Sequence, residues 1–237
     1  MENLHAQHVI VTGAVGGLGP SVVETLLACG ASVTATSRRR TALDALRADM
    51  RQSDRLHVAD ADPTDSAGFE LLLDAAERAT GPLDGLVHCV GGFAGGKIVE
   101  LTDSTVETLY QSVLRSTIVV TRGVVRRMSQ RGRGRIVLVG GLASRSPSPG
   151  AALYGSLKAA VAHFAQSVAE ECRPVGVQVN VVMPGTMNTR GNRESMKDVD
   201  ASRWTDPRDV AKAIAGLLGD AGSGVSGALV ALPDRMW

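Results

Sequence analysis

The sequence predicts an α/β protein: one doubly wound domain whose seven-stranded parallel sheet carries helices on both faces. Short β-branched runs alternate with longer helix-compatible segments along the whole chain, and these runs are apolar throughout. Strands that are apolar along their length are buried on both faces, as in a parallel sheet covered by helices. Alternating strands and helices connect such a sheet through right-handed crossovers. Because no long Pro-, Gly- or Ser-rich linker divides the chain, we expect one domain over residues 1–237.

The predicted elements follow the order that this fold requires. An apolar helix follows the first strand and a glycine-rich turn and runs to about residue 29. Long helices precede and follow the fifth strand, and a capped helix begins at Asp206 with a proline in its first turn. Strands are predicted at 9–11, 31–36, 56–59, 85–90, 135–139, 177–182 and 228–232.

Composition argues against several function classes. With 25 basic and 24 acidic residues the formal charge is +1, which provides no basic face for a nucleic acid. No stretch of about 18 apolar residues indicates a membrane span, and the N-terminus lacks a signal-peptide pattern. The three cysteines and five histidines are scattered without ligand spacing. We therefore expect free thiols, no metal site and a cytoplasmic protein that binds a small molecule.

The strongest local signal is the glycine-rich turn at 12–19, between the first strand and the first helix. Glycines let the backbone approach a pyrophosphate closely, and the helix N-terminus offers unpaired N–H groups to that anion. In this context we interpret the turn as the dinucleotide-binding turn of a Rossmann-type fold. A Walker lysine is absent, which disfavours an NTPase. The residues predicted to contact the cofactor here are Gly13, Val15, Gly16, Gly17, Leu18 and Gly19.

The end of the second strand indicates which dinucleotide is used. An acidic residue there would accept the ribose hydroxyls of NAD(H) and repel a phosphate. The chain instead has Ser37, Arg38 and Arg39, and a guanidinium binds a 2′-phosphate through charge-assisted hydrogen bonds. We therefore predict NADPH over NADH. The alternative interpretation is that these arginines are solvated loop residues.

A tyrosine and a lysine four residues apart, Tyr154 and Lys158, follow the fifth strand. At this spacing the two side chains share one face of a helix. A nearby cation lowers the pKa of a phenol and lets it act as a general acid at neutral pH. We predict that these two residues are catalytic.

Together, the glycine-rich turn and the tyrosine–lysine pair resemble the short-chain dehydrogenase/reductase family, over essentially the whole chain. The resemblance implies an NAD(P)H-dependent oxidoreductase in which Tyr154 supplies the proton and Lys158 lowers its pKa while binding the nicotinamide ribose. It also implies a homodimer or homotetramer, formed through the helices that flank the fifth strand. Within the family pattern, Asp60 would contact the adenine. Further cofactor contacts implied by the resemblance are Ala61, Val90, Gly91, Gly92, Pro184, Gly185, Thr186 and Met187.

The chain departs from the family pattern at three places. The segment 88–91 reads His-Cys-Val-Gly instead of Asn-Asn-Ala-Gly, the catalytic asparagine aligns with Val113, and the catalytic serine aligns with Gly141. Ser144 or Ser146 could take the place of the missing serine. These losses disfavour ordinary alcohol–ketone chemistry. They leave open a non-redox member of the fold, either a nucleotide-sensing binding module or an isomerase or cyclase.

A narrower resemblance accounts for these losses. The segments 91–96 and 192–196, with Asp200 and Trp204, are similar to the quinonoid dihydropteridine reductase branch, which keeps the tyrosine and lysine but lacks the serine. The substrate of that branch is an electron-poor ring that accepts hydride easily. This resemblance implies an activated acceptor such as a quinone, an imine or a polarised ketone. Candidate substrate contacts are Phe93, Gly141, Ser144, Met187 and Trp204, with a lid at about 187–206.

Overall fold

Seven parallel strands form one sheet in the order β3-β2-β1-β4-β5-β6-β7. The computed structural model describes residues 2–51 and 53–234. The strands are β1 His8–Thr12, β2 Ser32–Ser37, β3 Leu56–Asp60, β4 Gly85–His88, β5 Gly134–Val139, β6 Val177–Pro184 and β7 Leu229–Leu232. The strand order reverses between β1 and β4, and in such a sheet ligands bind where the carboxyl ends of those strands diverge. The predicted fold class is confirmed.

Helices cover both faces of the sheet. They are α1 Gly19–Ala28, α2 Arg40–Asp49, α3 Ser66–Thr80, α4 Asp103–Leu109, α5 Ser116–Arg131, α6 Ala152–Cys172, α7 Arg190–Ser195 and α8 Pro207–Leu218. The segment Tyr110–Arg115, called the π turn below, joins α4 to α5 as one turn of π-helix. The capped helix expected after Asp206 is α8, where the Asp206 carboxylate accepts a hydrogen bond from the Arg208 amide.

Alternation along the central strands divides the core into two layers. Val9 and Val11 of β1 pack in the layer beneath α1, α2 and α8, whereas Ile10 packs in the layer beneath α3, α5 and α6. Side chains of a strand point alternately to opposite faces, so both layers need apolar residues. This explains why the strands are apolar throughout and why the sequence pattern indicates a parallel sheet.

Several strand ends differ from the predicted bounds. The fourth strand ends at His88 and not at residue 90, because β4 pairs with its neighbours only as far as His88 before the chain leaves the sheet. Asp60, expected after the third strand, is the last residue of β3. Pro184, expected in a loop, is the last residue of β6 and pairs with Leu232. Apolar patterning marks where a strand is buried, but pairing with neighbours decides where it stops.

Gly123 of α5, on a helix that flanks the fifth strand, packs inside the protein. Gly123 is buried, and a Cβ there would lie 3.1 Å from the Leu73 Cδ1 atom of α3. Gly123 therefore serves the packing of α5 against α3. The homo-oligomer stays a prediction. Within residues 2–51 and 53–234, no helix has the length and apolar character needed to cross a membrane.

Candidate active site

The glycine-rich turn packs tightly against the segment that leaves β4. Gly13 has φ +71°, and a Cβ at this position would lie 2.9 Å from the backbone carbon of Cys89 and the nitrogen of Val90. A Cβ at Gly19 would lie 2.4 Å from the Ala14 carbonyl. Both positions therefore require glycine. The turn brings the N-terminus of α1 to the carboxyl ends of β1 and β4, where an anion would be held.

The predicted lid begins over the same turn. A Cβ at Gly17 would lie 2.7 Å from the Thr189 Cγ2 atom. Thr189 in turn accepts a hydrogen bond from the Asn192 amide and so caps α7. The lid is anchored at both ends, because the Thr205 amide donates to the Thr186 carbonyl (2.9 Å) and the Asn188 amide donates to the Thr205 carbonyl (2.8 Å).

At the end of β2, two of the three arginines are exposed and form no ion pair with a described residue. Arg38 and Arg39 are exposed, and the Arg39 guanidinium donates to the Val15 carbonyl of the glycine-rich turn (3.2 Å). The Ser37 hydroxyl accepts from the Arg39 amide (3.1 Å). Arg40 differs, because it pairs with Asp44 (3.0 Å) and with Asp60 (3.3 Å). Arg38 and Arg39 form no ion pair among the residues that the structure describes.

Helix α6 carries the tyrosine–lysine pair on one face. Lys158 is 5% exposed, and its ammonium donates to the Val139 carbonyl (2.8 Å) and lies 5.8 Å from the centroid of the Tyr154 ring. Burial lowers the pKa of Lys158 to about 8 and raises the pKa of Tyr154. The predicted lowering of the Tyr154 pKa is therefore wrong in this structure. The reason is that loss of hydration dominates at the phenol.

Gly141 lies directly beside the phenol. A Cβ at Gly141 would be 3.3 Å from the Tyr154 Oη atom and 3.9 Å from the Lys158 Cγ atom. A serine here would place its hydroxyl next to the phenol, so glycine leaves that place open. Ser144 does not fill it, because its hydroxyl donates to the Gly141 carbonyl (2.8 Å). Val113, which aligns with the family's catalytic asparagine, is 1% exposed and packs in the core.

The loop after β4 covers the tyrosine–lysine pair from the other side. Phe93 is 70% exposed and packs edge-to-face against Tyr154, with ring centroids 5.1 Å apart and an interplanar angle of 79°. A Cβ at Gly91 would lie 3.5 Å from the Lys158 Nζ atom, and one at Gly92 would lie 3.2 Å from the Ser112 Oγ atom. The structure thus brings Phe93 to the tyrosine–lysine pair, and its role as a substrate contact stays a prediction.

The loop after β6 shows one residue that sequence reasoning missed. A Cβ at Gly185 would lie 2.3 Å from the Asp234 Oδ1 atom, and the Thr205 hydroxyl lies 3.1 Å from the same oxygen. Asp234 thus supports the loop from the far end of the chain, and no local pattern signals that contact. Of the two predicted substrate contacts here, Met187 is partly buried against the core, whereas Trp204 is 5% exposed and offers little surface to a substrate.

The residues present fit a phosphorylated dinucleotide. Gly13 and Gly19 allow the tight turn that brings the start of α1 to the carboxyl ends of β1 and β4, and two exposed guanidinium groups stand at the end of β2. Asp60, whose adenine contact stays a prediction, is the exposed last residue of β3 beside that site. No group of three or more potential metal ligands occurs in the described part of the chain.

Comparison with known proteins agrees with this geometry. A model of the short chain dehydrogenase family matches residues 7–200. The 3-oxoacyl-(acyl-carrier-protein) reductase FabG of Escherichia coli (strain K12) is 28% identical over 233 residues, which cover 95% of this chain and 95% of that protein.

Two solved structures share the fold. A short-chain type dehydrogenase/reductase from Mycobacterium ulcerans has a TM-score of 0.92 and 25% identity, covering 98% of this chain and 92% of that one. A short chain oxidoreductase from Pseudomonas aeruginosa PAO1, described as NADPH-bound and as containing an atypical catalytic center, has a TM-score of 0.93 and 24% identity. It covers 100% of this chain, which covers 99% of it in turn. By the family match, the chain belongs to the short-chain dehydrogenase/reductase family of NAD(P)H-dependent oxidoreductases.

Proposed function

We propose that this protein is an NADPH-dependent reductase of activated acceptors: polarised carbonyls, quinones, or quinonoid and imine rings. The observation that carries the proposal is the open position at Gly141, 3.3 Å from the Tyr154 Oη atom as measured from a Cβ built there. The catalytic pair Tyr154 and Lys158 is kept, but the neighbouring hydroxyl that would help to hold an ordinary ketone is missing.

NADPH is favoured by charge at the end of β2. Arg38 and Arg39 are exposed at the end of β2, where they would hold a 2′-phosphate, and the residues directly after β2 are three arginines with no acidic residue among them. The turn itself would hold the pyrophosphate, and the segments 89–92 and 184–187 would flank the nicotinamide. The NADPH-bound Pseudomonas protein has the same fold, so the fold accommodates this cofactor. When bound, NADPH supplies the hydride.

Tyr154 would donate the proton. Because burial raises its pKa, the phenol remains protonated at neutral pH, which is the form that a proton donor needs. Proton transfer goes from the Tyr154 Oη atom to the substrate oxygen or nitrogen that gains negative charge on reduction. Lys158, with a pKa of about 8, is mostly an ammonium at pH 7 and stabilises the phenolate that is left.

The missing serine restricts the substrate to activated acceptors. Removing one donor from a site that stabilises a developing oxyanion typically costs about 10²–10³ in rate. An ordinary ketone would suffer this loss in full. An electron-poor acceptor already accepts hydride readily, so one donor, Tyr154, is enough.

Phe93 favours a flat acceptor. Its ring is 70% exposed although it contacts Tyr154, so most of the ring is available to a ligand at the catalytic pair. Aromatic rings pack favourably when stacked with an offset or edge-to-face. A planar quinone or quinonoid ring placed against Phe93 would also lie next to the proton donor.

The proposal is tested with Tyr154→Phe and a matched control. The variant should lower kcat about 10²–10⁴-fold with a quinone, since one general acid is lost, and should leave the calorimetric Kd for NADPH within about twofold. Tyr110→Phe removes the only other tyrosine hydroxyl, which lies at the exposed start of the π turn, and should change neither value. Unchanged turnover in Tyr154→Phe would remove the assigned acid, and failure of the wild type to bind NADPH would overturn the cofactor.

A further inference from the structure

His88 is a buried histidine to which the proposed reaction gives no role. It is the last residue of β4, and its side chain is 1% exposed. Its ring lies between two hydroxyl groups: Nδ1 is 2.7 Å from the Thr12 Oγ1 atom, and Nε2 is 3.2 Å from the Ser116 Oγ atom. The ring therefore connects the end of β1, the end of β4 and the start of α5.

The hydrogen bonds around the ring form one directed chain. The Ser116 hydroxyl donates to the Ser112 carbonyl (2.7 Å), so toward the ring it acts as an acceptor from Nε2–H. Nδ1 then has no hydrogen and accepts from the Thr12 hydroxyl. A neutral imidazole therefore satisfies both hydrogen bonds, one as donor and one as acceptor. Burial, together with the nearby Lys158 ammonium, lowers the pKa of His88 to about 3.

The same chain supports the π turn. The Ser116 amide donates to the Gln111 carbonyl, five residues back, so the Ser112 carbonyl is left for the Ser116 hydroxyl. The Thr117 hydroxyl serves the Val113 carbonyl in the same way (2.6 Å). A π turn has displaced backbone hydrogen bonds, and side-chain hydroxyls can supply the carbonyls that it frees.

The segments tied together by the ring lie at the cofactor site. Thr12 directly precedes Gly13, where a Cβ would meet the backbone of Cys89 and Val90 at 2.9 Å. A Cβ at Gly92 would lie 3.2 Å from the Ser112 Oγ atom of the π turn. A shift of the ring would therefore move the glycine-rich turn, the loop 89–92 and the π turn relative to one another.

We propose that His88 is a positioning residue, which holds the glycine-rich turn, the loop 89–92 and the π turn in the arrangement that receives the cofactor. This inference rests on the proposed NADPH-binding function. Val113, a core valine, brings no polar side chain to the π turn, so the hydrogen bonds from His88 through Ser116 provide the support there.

The test uses Ser116→Ala, which removes the acceptor of Nε2–H while leaving the ring and the fold in place. Its control is Thr121→Val on the same helix, since the buried Thr121 hydroxyl has no hydrogen-bond partner within the described residues. His88→Leu is the more severe variant. Calorimetry measures the Kd for NADPH, and hydrogen–deuterium exchange without cofactor compares the segments 89–92 and 110–117.

In Ser116→Ala we expect the Kd for NADPH to rise about tenfold, because the loosened segments must be ordered again when the cofactor binds. Exchange in 89–92 and 110–117 should become faster, while Thr121→Val matches the wild type in both measurements. His88→Leu, if it folds, should raise the Kd further.

A purely structural role would lower the melting temperature of Ser116→Ala but leave its Kd for NADPH unchanged, and that result overturns the inference. Equal exchange in Ser116→Ala and Thr121→Val also overturns it. A wild type that does not bind NADPH overturns the proposed function instead, and the positioning role falls with it. The two failures are thus told apart by the wild-type titration.

Discussion

Tyr154 and Lys158 show how burial sets the chemistry of single residues. Loss of water favours the uncharged form of each group, so the pKa of the phenol rises and that of the ammonium falls to about 8. A protonated phenol beside an ammonium suits proton donation to a substrate. Gly141 adds the second residue-scale feature, an open place beside the Tyr154 Oη atom.

Gly141→Ser should separate ordinary ketones from activated acceptors. The new hydroxyl would stand beside the phenol, so turnover of a simple ketone should rise at least about tenfold, as expected for an added oxyanion donor. Turnover of a quinone should stay equal or fall, because the side chain occupies space. Backbone strain is not a factor, since Gly141 is extended (φ 177°).

Gly141→Ala is the control, because it adds the same Cβ, 3.3 Å from the Tyr154 Oη atom, without a hydroxyl. Steady-state rates on matched ketone and quinone substrates provide the measurement. If the alanine variant gains ketone activity as the serine variant does, the missing hydroxyl is not what limits ketone reduction.

At the scale of elements, the site is assembled where β1, β2 and β4 end. The turn after β1 needs glycine at positions 13 and 19, because a side chain at either position would clash with neighbouring backbone. The turn after β2 brings Arg39 to the Val15 carbonyl of the first turn (3.2 Å). Parallel strands end at one edge of the sheet, so residues distant in sequence converge there.

The arginines after β2 should select NADPH over NADH. Arg38→Ala and Arg39→Ala should each weaken NADPH binding about tenfold or more and leave NADH binding nearly unchanged, since a charge-assisted hydrogen bond is lost. Arg40→Ala is the control, because its guanidinium is already paired with Asp44 and Asp60. Calorimetric titration with both cofactors decides. Equal losses for NADPH and NADH would contradict the phosphate assignment.

Gly13→Ala and Gly132→Ala separate backbone strain from close approach. The two glycines have nearly the same φ, +71° and +68°, but only Gly13 has neighbours within reach of a Cβ. Gly132→Ala should cost about 1 kcal/mol of unfolding free energy, and Gly13→Ala should cost more and abolish NADPH binding. Urea unfolding and calorimetry measure both effects. Equal costs would mean that the contact with Cys89 and Val90 relaxes freely.

At the scale of the whole molecule, two apolar layers enclose the sheet, and two buried histidines are hydrogen-bonded inside the protein. His88 and His8 are both buried, and burial lowers the pKa of each. His8 bonds to the Gly81 carbonyl (2.8 Å) and to the Thr34 hydroxyl (2.9 Å). The folded protein therefore favours the neutral form of both rings, and protonating them at acidic pH lowers the free energy of unfolding.

We expect stability to decrease as the pH falls from 6.5 toward about 3, the pKa of His88 in the folded chain. In that window the unfolded chain binds a proton that the folded chain excludes, at a cost of about 1.4 kcal/mol per pH unit for one group. Urea unfolding at pH 7 and pH 5 should show this loss. His88→Asn should reduce it, and His163→Asn, at an exposed position of α6, should not.

The sequence predicts the class of sheet, the order of strands and helices, the glycine-rich turn and the tyrosine–lysine pair. These features follow from local causes: apolar runs mark buried strands, glycines permit a turn, and a spacing of four aligns two side chains on a helix. The predicted ends of the third, fourth and sixth strands differ from the observed ends at Asp60, His88 and Pro184. Hydrogen bonds to neighbouring strands decide where a strand stops.

Contacts between distant segments could not be derived from local pattern. The sequence by itself determined the class of fold, the turn that follows the first strand, and the placement of Tyr154 and Lys158 on one face of a helix. Only the tertiary structure decided that Gly141 faces the phenol, that His88 joins Thr12 to Ser116, and that the pKa of Tyr154 rises. The physical reason is that proximity and burial depend on how strands and helices pack, and the residues that meet are far apart in the chain.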